Sequence, residues 1–385
     1  MNYFLNEEQQ MIVDTSRELA RNKIKPVRER YDEEGIFPRD IVQDMAAADL
    51  MGLYIPEDYG GMGGGVFELC LAVEELSKVC GGISLAMAAT ALGTFPLLLF
   101  GTEEQKRAYL PDIAAGRKLA AFGLTEAGAG SDAGNMQTTA VRDGDDYVLN
   151  GTKQWITNAG EADVYTVIAM TNKAKGSRGA TAFLVEKGTP GFDFGKKENK
   201  MGIRASVTRE LVFTNCRVPA KNVLGKEGMG FIVAVNVLNY SRPGVAAQAL
   251  GIAAGALQEA LRYSRQRVQF GQPIAGIQAV QHMLADMATQ VEAARTLIYQ
   301  TARAIDGGAK NFAKESSMSK LFASDVAMRV TTDAVQILGG YGYMREYPVE
   351  KMMRDAKITQ IYEGTNQIQR NEIALQMIKE AAKAK

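Results

Sequence analysis

The segment from Asp355 to Arg370, DAKITQIYEGTNQIQR, decides how the rest of the chain is read. Within it, Glu363 stands between the apolar residues Ile358, Ile361 and Tyr362 and the pair Gly364-Thr365. Gly364 permits a turn that side-chain-bearing residues resist. The Thr365 hydroxyl suits the cap of a helix running from Asn366 to Ala382. Glu363 is therefore expected at the head of a helix, on a tight bend, against apolar neighbours. Burial of that kind raises the pKa of a carboxyl group and strips its water, which makes a usable general base. The position alone also suits a carboxylate that merely complements the helix N-terminus.

Upstream of this segment the helical texture continues back to Gly230. Ala246, Leu250, Ala253, Leu257 and Leu261 repeat at helical spacing, and the alanines suit a closely packed bundle. Further helices are predicted over 277–305 and 313–338, with Pro243 kinking or restarting the first helix. Between about Leu119 and Pro219 the texture is strand-like: 120–125, 138–142, 147–150, 164–170, 181–185 and 210–214. Turn signals such as Asp143-Gly144-Asp145 and Pro190-Gly191 separate these runs. No helix fits between most of them, so an antiparallel, barrel-like β domain is expected. Residues 1 to 120 read as helical again, with helices over 38–53, 66–100 and 103–114. The fold class is thus mainly α with a central β domain: an all-α domain (1–120), a β domain (121–229) and a C-terminal four-helix bundle (230–385).

Composition narrows the function. The 385 residues carry 44 basic and 44 acidic side chains, so no basic excess points to nucleic acid. The start, MNYFLNEEQQ, shows neither a secretory signal nor a transit peptide, and no 18-residue apolar run is read as a membrane span, so the expected location is cytoplasmic. Cys70, Cys80 and Cys216 lack metal or redox spacing and are expected as reduced, buried thiols. His282 is the single histidine, which removes HExxH zinc sites. It reads as an ordinary helix-face residue, and no metal site is expected. Acid–base chemistry must rest on carboxylate, lysine or tyrosine.

The stretch FGLTEAGAGSD (122–132) imitates a dinucleotide fingerprint, Gly128-x-Gly130-x-x-Ala133. That fingerprint needs a following helix to hold a pyrophosphate, and here another strand follows. What remains is a strand and a bare-backbone loop with hydroxyls at Thr125 and Ser131, suited to the polar edge of a flat ring. Trp155, the one tryptophan, lies beside Thr157 just after a second strand and suits stacking on such a ring. Taken singly, these are also a hairpin end and an ordinary packing residue.

Five segments in order, FGLTEAGAGSD, NGTKQWITNAG, YSRQRVQFGQPI, QILGGYGYMREYPVEKMMRDAKI and IYEGTNQIQR, resemble the acyl-CoA dehydrogenase family over nearly the whole chain. The texture is most similar to its short-chain, butyryl-CoA type members. The resemblance implies FAD as cofactor and Glu363 as the base that takes the α-proton while hydride leaves the β-carbon for the flavin. It implies flavin contacts from Phe122, Leu124, Thr125, Gly130 and Ser131, with Trp155, Ile156 and Thr157 over the flavin's outer face. Arg267, Gln269, Phe270 and Gln278 match residues that reach the FAD of a neighbouring subunit, which implies an obligate oligomer, usually a tetramer. Gln336, Gly339, Gly340, Thr365 and Gln367 match further cofactor contacts. Substrate contacts are matched by Ser131, Asn239, Arg242, Tyr362 and Gly364. Relatives often carry aspartate where Asn239 stands, which weakens one expected contact to the CoA moiety. The thioester oxygen is expected on the Glu363 backbone N–H and a flavin hydroxyl.

Some relatives carry the base near position 239, where this chain has no carboxylate. The wall from Ile83 to Phe95 is uncharged, which suits a plain short or medium acyl group. The implied electron partner is electron-transferring flavoprotein, and the same site also runs in reverse as an enoyl-CoA reductase. Two rivals are an acyl-CoA oxidase-like flavoenzyme using oxygen and a non-catalytic CoA-binding protein of the same fold.

Overall fold

The computed structural model describes residues 3–383. Asn6 opens the first helix, α1 (Glu7–Leu19), through a reciprocal cap with Gln9. Short helices α2 (Arg28–Glu34) and α3 (Arg39–Ala47) follow, and α3 ends well before residue 53. The stretch expected as one helix over 66–100 is two, α4 (Val66–Ser77) and α5 (Gly81–Phe100). Cys80 is extended, and the Gly81-Gly82 pair restarts the helix. Thr102 then caps α6 (Glu103–Ala114) with the same reciprocal device.

The α5 sequence, GGISLAMAATALGTFPLLLF, has no charge and is long and apolar enough to cross a membrane, contrary to the sequence reading. It is a core helix instead, with 72% of that apolar window buried inside the molecule. A helix apolar on every face needs neighbours on every face, and α5 has them. Gly93 lets β1 (Ala120–Gly123) approach: a Cβ there would lie 2.4 Å from the Ala121 nitrogen.

The remaining strands are β2 (Thr139–Asp143), β3 (Asp146–Thr157), β4 (Val164–Met170), β5 (Ala180–Glu186), β6 (Phe192–Phe194), β7 (Thr208–Pro219) and β8 (Val223–Leu224). They form one sheet in the order β6-β7-β3-β2-β4-β5-β8, with β1 beside β4. The expected antiparallel pairing holds along most of this path. The exceptions are β1 with β4, parallel over four residue pairs, and a single parallel pair between β2 and β4. Parallel pairing there follows from connectivity, because β1 enters the sheet after α6 and never forms a hairpin with β4. No pairing closes the sheet into a barrel among the described residues.

The C-terminal helices are α7 (Gly230–Gln266), α8 (Gln278–Asp306), α9 (Ala313–Leu338), α10 (Pro348–Thr359) and α11 (Asn366–Lys383). Pro243 neither ends nor restarts α7, which is continuous and packs on α4, α5, α8, α9 and α10. That packing outweighs the roughly 3 kcal/mol that an interior proline costs. Close approach rests on small residues. A Cβ on Gly251 would lie 2.4 Å from the Glu74 carbonyl oxygen, and one on Gly255 would lie 2.1 Å from that of Lys78. Helix α10 was absent from the sequence reading, and it immediately precedes the turn that carries Glu363. The three cysteines are free and buried, and His282 is exposed on α8.

Candidate active site

Glu363 sits on the six-residue connection, 360–365, between α10 and the last helix. Its backbone is left-handed, with φ 50°, and Gly364 follows at φ 89°. Two successive positive φ values are costly for a non-glycine residue, so surrounding contacts must hold the turn. Gln369 Nε2 donates to the Glu363 and Gly364 carbonyl oxygens at 3.0 and 2.9 Å. Lys320 Nζ, from α9, donates to Gly364 O at 2.8 Å and to Asn366 Oδ1 at 2.9 Å. Thr365 Oγ1 accepts from the Ile368 N–H at 3.3 Å and caps α11 as expected.

The turn's carbonyls are thus engaged behind it. The Glu363 N–H makes no hydrogen bond among the described residues. Its carboxylate accepts from Ser241 Oγ at 2.5 Å, and Ser241 belongs to α7. Burial pushes the Glu363 carboxyl up to about 7, against the lowering effects of Ser241, Arg242 and Lys320. Two cations flank it. Lys320 is fully buried, and burial pushes its ammonium down to about 7. Arg242 is also buried, which lowers its pKa, and its Nη1 donates to Asn239 Oδ1 at 2.9 Å and Ser317 Oγ at 3.1 Å. Neither cation has a carboxylate within ion-pair distance among the described residues. Arg242 Nε is without a partner among the described residues. The site therefore carries unspent positive charge around one carboxyl group.

Tyr362, one residue before Glu363, donates to Gln248 Oε1, and Gln248 Nε2 donates to Gly81 O at 2.7 Å. Tyr362 and Ile358 also pack on Leu85, Ala89 and Ile203, an apolar cluster separate from the main core. Asn239 and Tyr240 line a cavity of about 470 Å³ with Asn236, Phe312 and Lys314.

The other sequence motif meets the same helix. Asn158, after β3, donates to Ala86 O and Thr90 Oγ1 of α5 at 3.3 Å each. So α5 touches the Glu363 turn through Leu85 and Ala89, the loop after β3 through Ala86 and Thr90, and β1 through Gly93. The loops are fixed by a buried ion pair, Lys153 Nζ to Glu126 Oε1 at 2.7 Å, and Lys153 also donates to Leu124 O at 3.0 Å. Glu126 further accepts from the Gln137 and Thr138 N–H groups. Burial alone raises the Glu126 carboxyl, but Lys153 and these amides outweigh it and hold it below the usual range. Gln154 N donates to Thr125 O at 2.8 Å, which brings Thr125 beside Trp155.

Phe122 and Leu124 are buried, Thr125 is half-buried, and Gly130 and Ser131 are exposed. The N–H groups of Thr125, Gly130 and Ser131 have no partner among the described residues, and a Cβ on Gly128 or Gly130 would meet open space. A bulge between Lys153 and Ile156 sets Trp155 at φ 62° and leaves it 56% exposed, with Ile156 buried and Thr157 half-buried. Free donors beside an exposed indole fit a flat heteroaromatic ring.

Other expected residues are not brought to this centre by contacts within the chain. Arg267, Gln269 and Phe270 lie on or beside a two-stranded hairpin after α7, with Phe270 92% exposed at φ 51°. Gln278 opens α8 and is exposed, as are Gln336, Gly339 and Gly340 at the end of α9 and Gln367 in α11. Sequence reading missed Ser241, Lys320, Gln248, Gln369 and the Glu126–Lys153 pair. Lys320 had a visible signal: it shares a helix face with Ser316, Ser317, Ala323, Ser324 and Ala327, where a lysine has no solvent to reach.

Profiles of the acyl-CoA dehydrogenase N-terminal, middle and C-terminal domains match residues 6–117, 121–216 and 228–378. The chain belongs to the acyl-CoA dehydrogenase family. It is 50% identical over 374 residues to the short-chain-specific acyl-CoA dehydrogenase of Megasphaera elsdenii, covering 96% of this chain and 97% of that one. The solved butyryl-CoA dehydrogenase of that organism superposes with a TM-score of 0.96 at 49% identity, over 98% of this chain and all of the other. The acryloyl-CoA reductase (NADH) of Anaerotignum propionicum is 48% identical, with 98% of this chain and 96% of that one covered. A chain solved in work on the electron transferring flavoprotein of Acidaminococcus fermentans and electron bifurcation is 53% identical, with a TM-score of 0.96 and coverage of 98% and 99%. Membership of this family makes the chain an oxidoreductase of the acyl-CoA dehydrogenase class.

Proposed function

We propose that the protein catalyses α,β-dehydrogenation of a short- to medium-chain acyl-CoA thioester, with Glu363 as the base. The observation that carries this reading is a half-buried carboxyl group, raised to about 7 by desolvation, on a strained turn between an apolar cluster and two buried basic side chains. FAD is the cofactor, as in the family, and Leu124, Thr125, Gly130, Ser131 and the Trp155–Thr157 segment would hold it. When bound, it supplies the hydride acceptor.

The chain's own residues do the rest. Glu363 takes the proton from the carbon next to the thioester carbonyl, and a pKa near 7 matches that task at neutral pH. The free Glu363 N–H is available to the thioester oxygen, where negative charge develops. Lys320 and Gln369 hold the turn's carbonyls away from that oxygen. Arg242, Asn239 and the adjoining cavity receive the CoA arm. A three-domain division at about 120 and 229 and a cytoplasmic tetramer complete this reading. The exposed hairpin at Phe270 and the open end of α9 support the tetramer, as surfaces for a neighbouring subunit's cofactor. Electron-transferring flavoprotein is the proposed partner, supported by the Acidaminococcus similarity. The relative named as an acryloyl-CoA reductase favours a second reading, in which the same site works in the reducing direction.

The test is to purify the protein, record its visible spectrum and add acyl-CoAs anaerobically. Bleaching of the flavin by butyryl-CoA is expected. Glu363→Gln should retain FAD and lose roughly 10²–10⁴ in rate, the usual scale for a general base. Undiminished bleaching in that variant refutes the assignment, and stoichiometric peroxide without another acceptor makes the protein an oxidase instead.

A further inference from the structure

Among the described residues, Ile203 is the one β-branched side chain held at positive φ, 45°. A left-handed conformation costs an ordinary residue roughly 1–2 kcal/mol, and β-branching makes it worse. Everything around Ile203 enforces it. Its N–H donates to Asp355 Oδ1 at 2.5 Å, and its carbonyl accepts from the Ser206 N–H at 2.9 Å. Asp355 is in turn fixed by Lys351. Gly202 packs so closely on α10 that a Cβ would lie 2.3 Å from the Arg354 carbonyl oxygen. Gly82 of α5 seats the loop from the other side, where a Cβ would lie 3.2 Å from Ile203 Cα.

This effort delivers one side chain to one place. Ile203 is 3% exposed, yet it lies outside the main core, in the small cluster with Leu85, Ala89, Ile358 and Tyr362. That cluster joins α5, the loop before β7 and the turn of the base. Simple burial of an isoleucine needs no strained backbone. Strain held by surrounding contacts marks a side chain whose position matters to a site.

We infer that Ile203 is the specificity-determining residue that limits acyl length, forming the wall that the alkyl end of the thioester meets. This rests on the proposed acyl-CoA reading of the site. A wall of one branched side chain discriminates between substrates a methylene apart by about 10–200-fold, the range a closed apolar pocket provides.

The experiment uses the FAD-loaded enzyme, its Ile203→Gly variant and its Ile203→Val variant. Glycine adopts φ 45° freely, so the loop keeps its path while the wall is removed. Flavin content, kcat/KM for butyryl-, hexanoyl- and octanoyl-CoA, and binding of non-oxidisable alkyl-CoA thioethers of the same lengths are measured. Expected for Ile203→Gly are full flavin content, butyryl-CoA turnover within a few-fold of the parent, and a rise of about tenfold or more in the octanoyl-to-butyryl ratio, with the octyl thioether binding more tightly by a similar factor. Ile203→Val should shift the profile in the same direction by less, and it carries the test if the glycine variant fails to hold FAD. An unchanged length profile in a flavin-loaded variant overturns the inference alone. A parent enzyme that no acyl-CoA bleaches overturns the underlying reading, and the inference with it.

Discussion

Replacing Ser241 with alanine should move the pH dependence of the reaction to higher pH. Ser241 Oγ donates to Glu363 Oε2 at 2.5 Å, and its next acceptor, Leu238 O, is farther off at 3.3 Å. With Glu363 ionised, the hydroxyl proton therefore belongs to the carboxylate. A hydrogen bond to a charged group contributes roughly 1.5–3 kcal/mol. With Glu363 protonated, part of that is regained, because the acid donates to Ser241 and the hydroxyl turns to Leu238. The difference between the two states is then at the lower end, about 1.4 kcal/mol, or a tenfold change in the ionisation constant. The serine favours the charged form, so its removal raises the pKa of the base. Parent activity should fall as pH drops through about 7, where Glu363 becomes protonated. In Ser241→Ala that fall should be centred roughly one pH unit higher. The variant would be about eightfold slower at pH about 6.5 and nearly normal at pH about 9, as follows from a tenfold change in ionisation. The assay is stopped-flow flavin bleaching at saturating butyryl-CoA across this range, anaerobically. A midpoint that stays in place, in a variant with full FAD content, would show that the serine does not control the base.

Three other perturbations probe the supports. Lys153→Met leaves Glu126 buried without its cation, a change that costs about 3–5 kcal/mol when one partner of a buried pair is lost; FAD content and Tm should both fall, and unchanged values of both would reject the pair as an anchor of the loop. Gly364→Ala puts a Cβ at φ 89° and 2.7 Å from Gln369 Nε2, so a lower Tm and at least a tenfold slower bleaching are expected from the displaced turn; parental rates would mean the turn tolerates the strain. The buried Lys320 ammonium has its folded pKa pushed down to about 7, below the unfolded value, so between about pH 7 and pH 10 the unfolded chain binds more protons and stability rises with pH. Denaturant midpoints of Lys320→Met should lack a part of that rise on the order of 1 kcal/mol per pH unit, and parallel curves for parent and variant would contradict the burial argument.

How much of this was legible in the sequence depended on how local the signal was. Helix and strand periodicity are local, so the α, β, α order and the spans 103–114, 164–170 and 313–338 were readable almost to the residue. Breaks that depend on tertiary packing were not. Pro243 looks like a stop until the surrounding helices are seen to hold α7 through it. Helix α10 escaped notice because its buried face carries Lys351 and Asp355, charges that satisfy each other within the fold and blur the apolar stripe.

The candidate site divides in the same way. Glu363, Gly364 and Thr365 announce a turn by residue type, and the turn is there, with both positive φ values. Nothing in a linear reading joins Ser241, Lys320 and Gln369 to that turn, because each reaches it across tens or hundreds of residues or from the far side of a helix. What brings them together is the packing of α9 on both α7 and α11, while α5 ties that turn to the sheet. The want of charge in α5, which makes it resemble a membrane span, follows from having partners on every side: the sheet at Gly93, the bundle at Gly81, the strand-end loops at Thr90 and the Glu363 turn at Leu85. A charged residue at any of these contacts would demand a partner that the neighbouring backbone could not supply. The apolar monotony of α5 is therefore the condition for placing the Glu363 turn and the strand-end loops on one rigid support, so a substitution on it should disturb flavin binding and the position of Glu363 together.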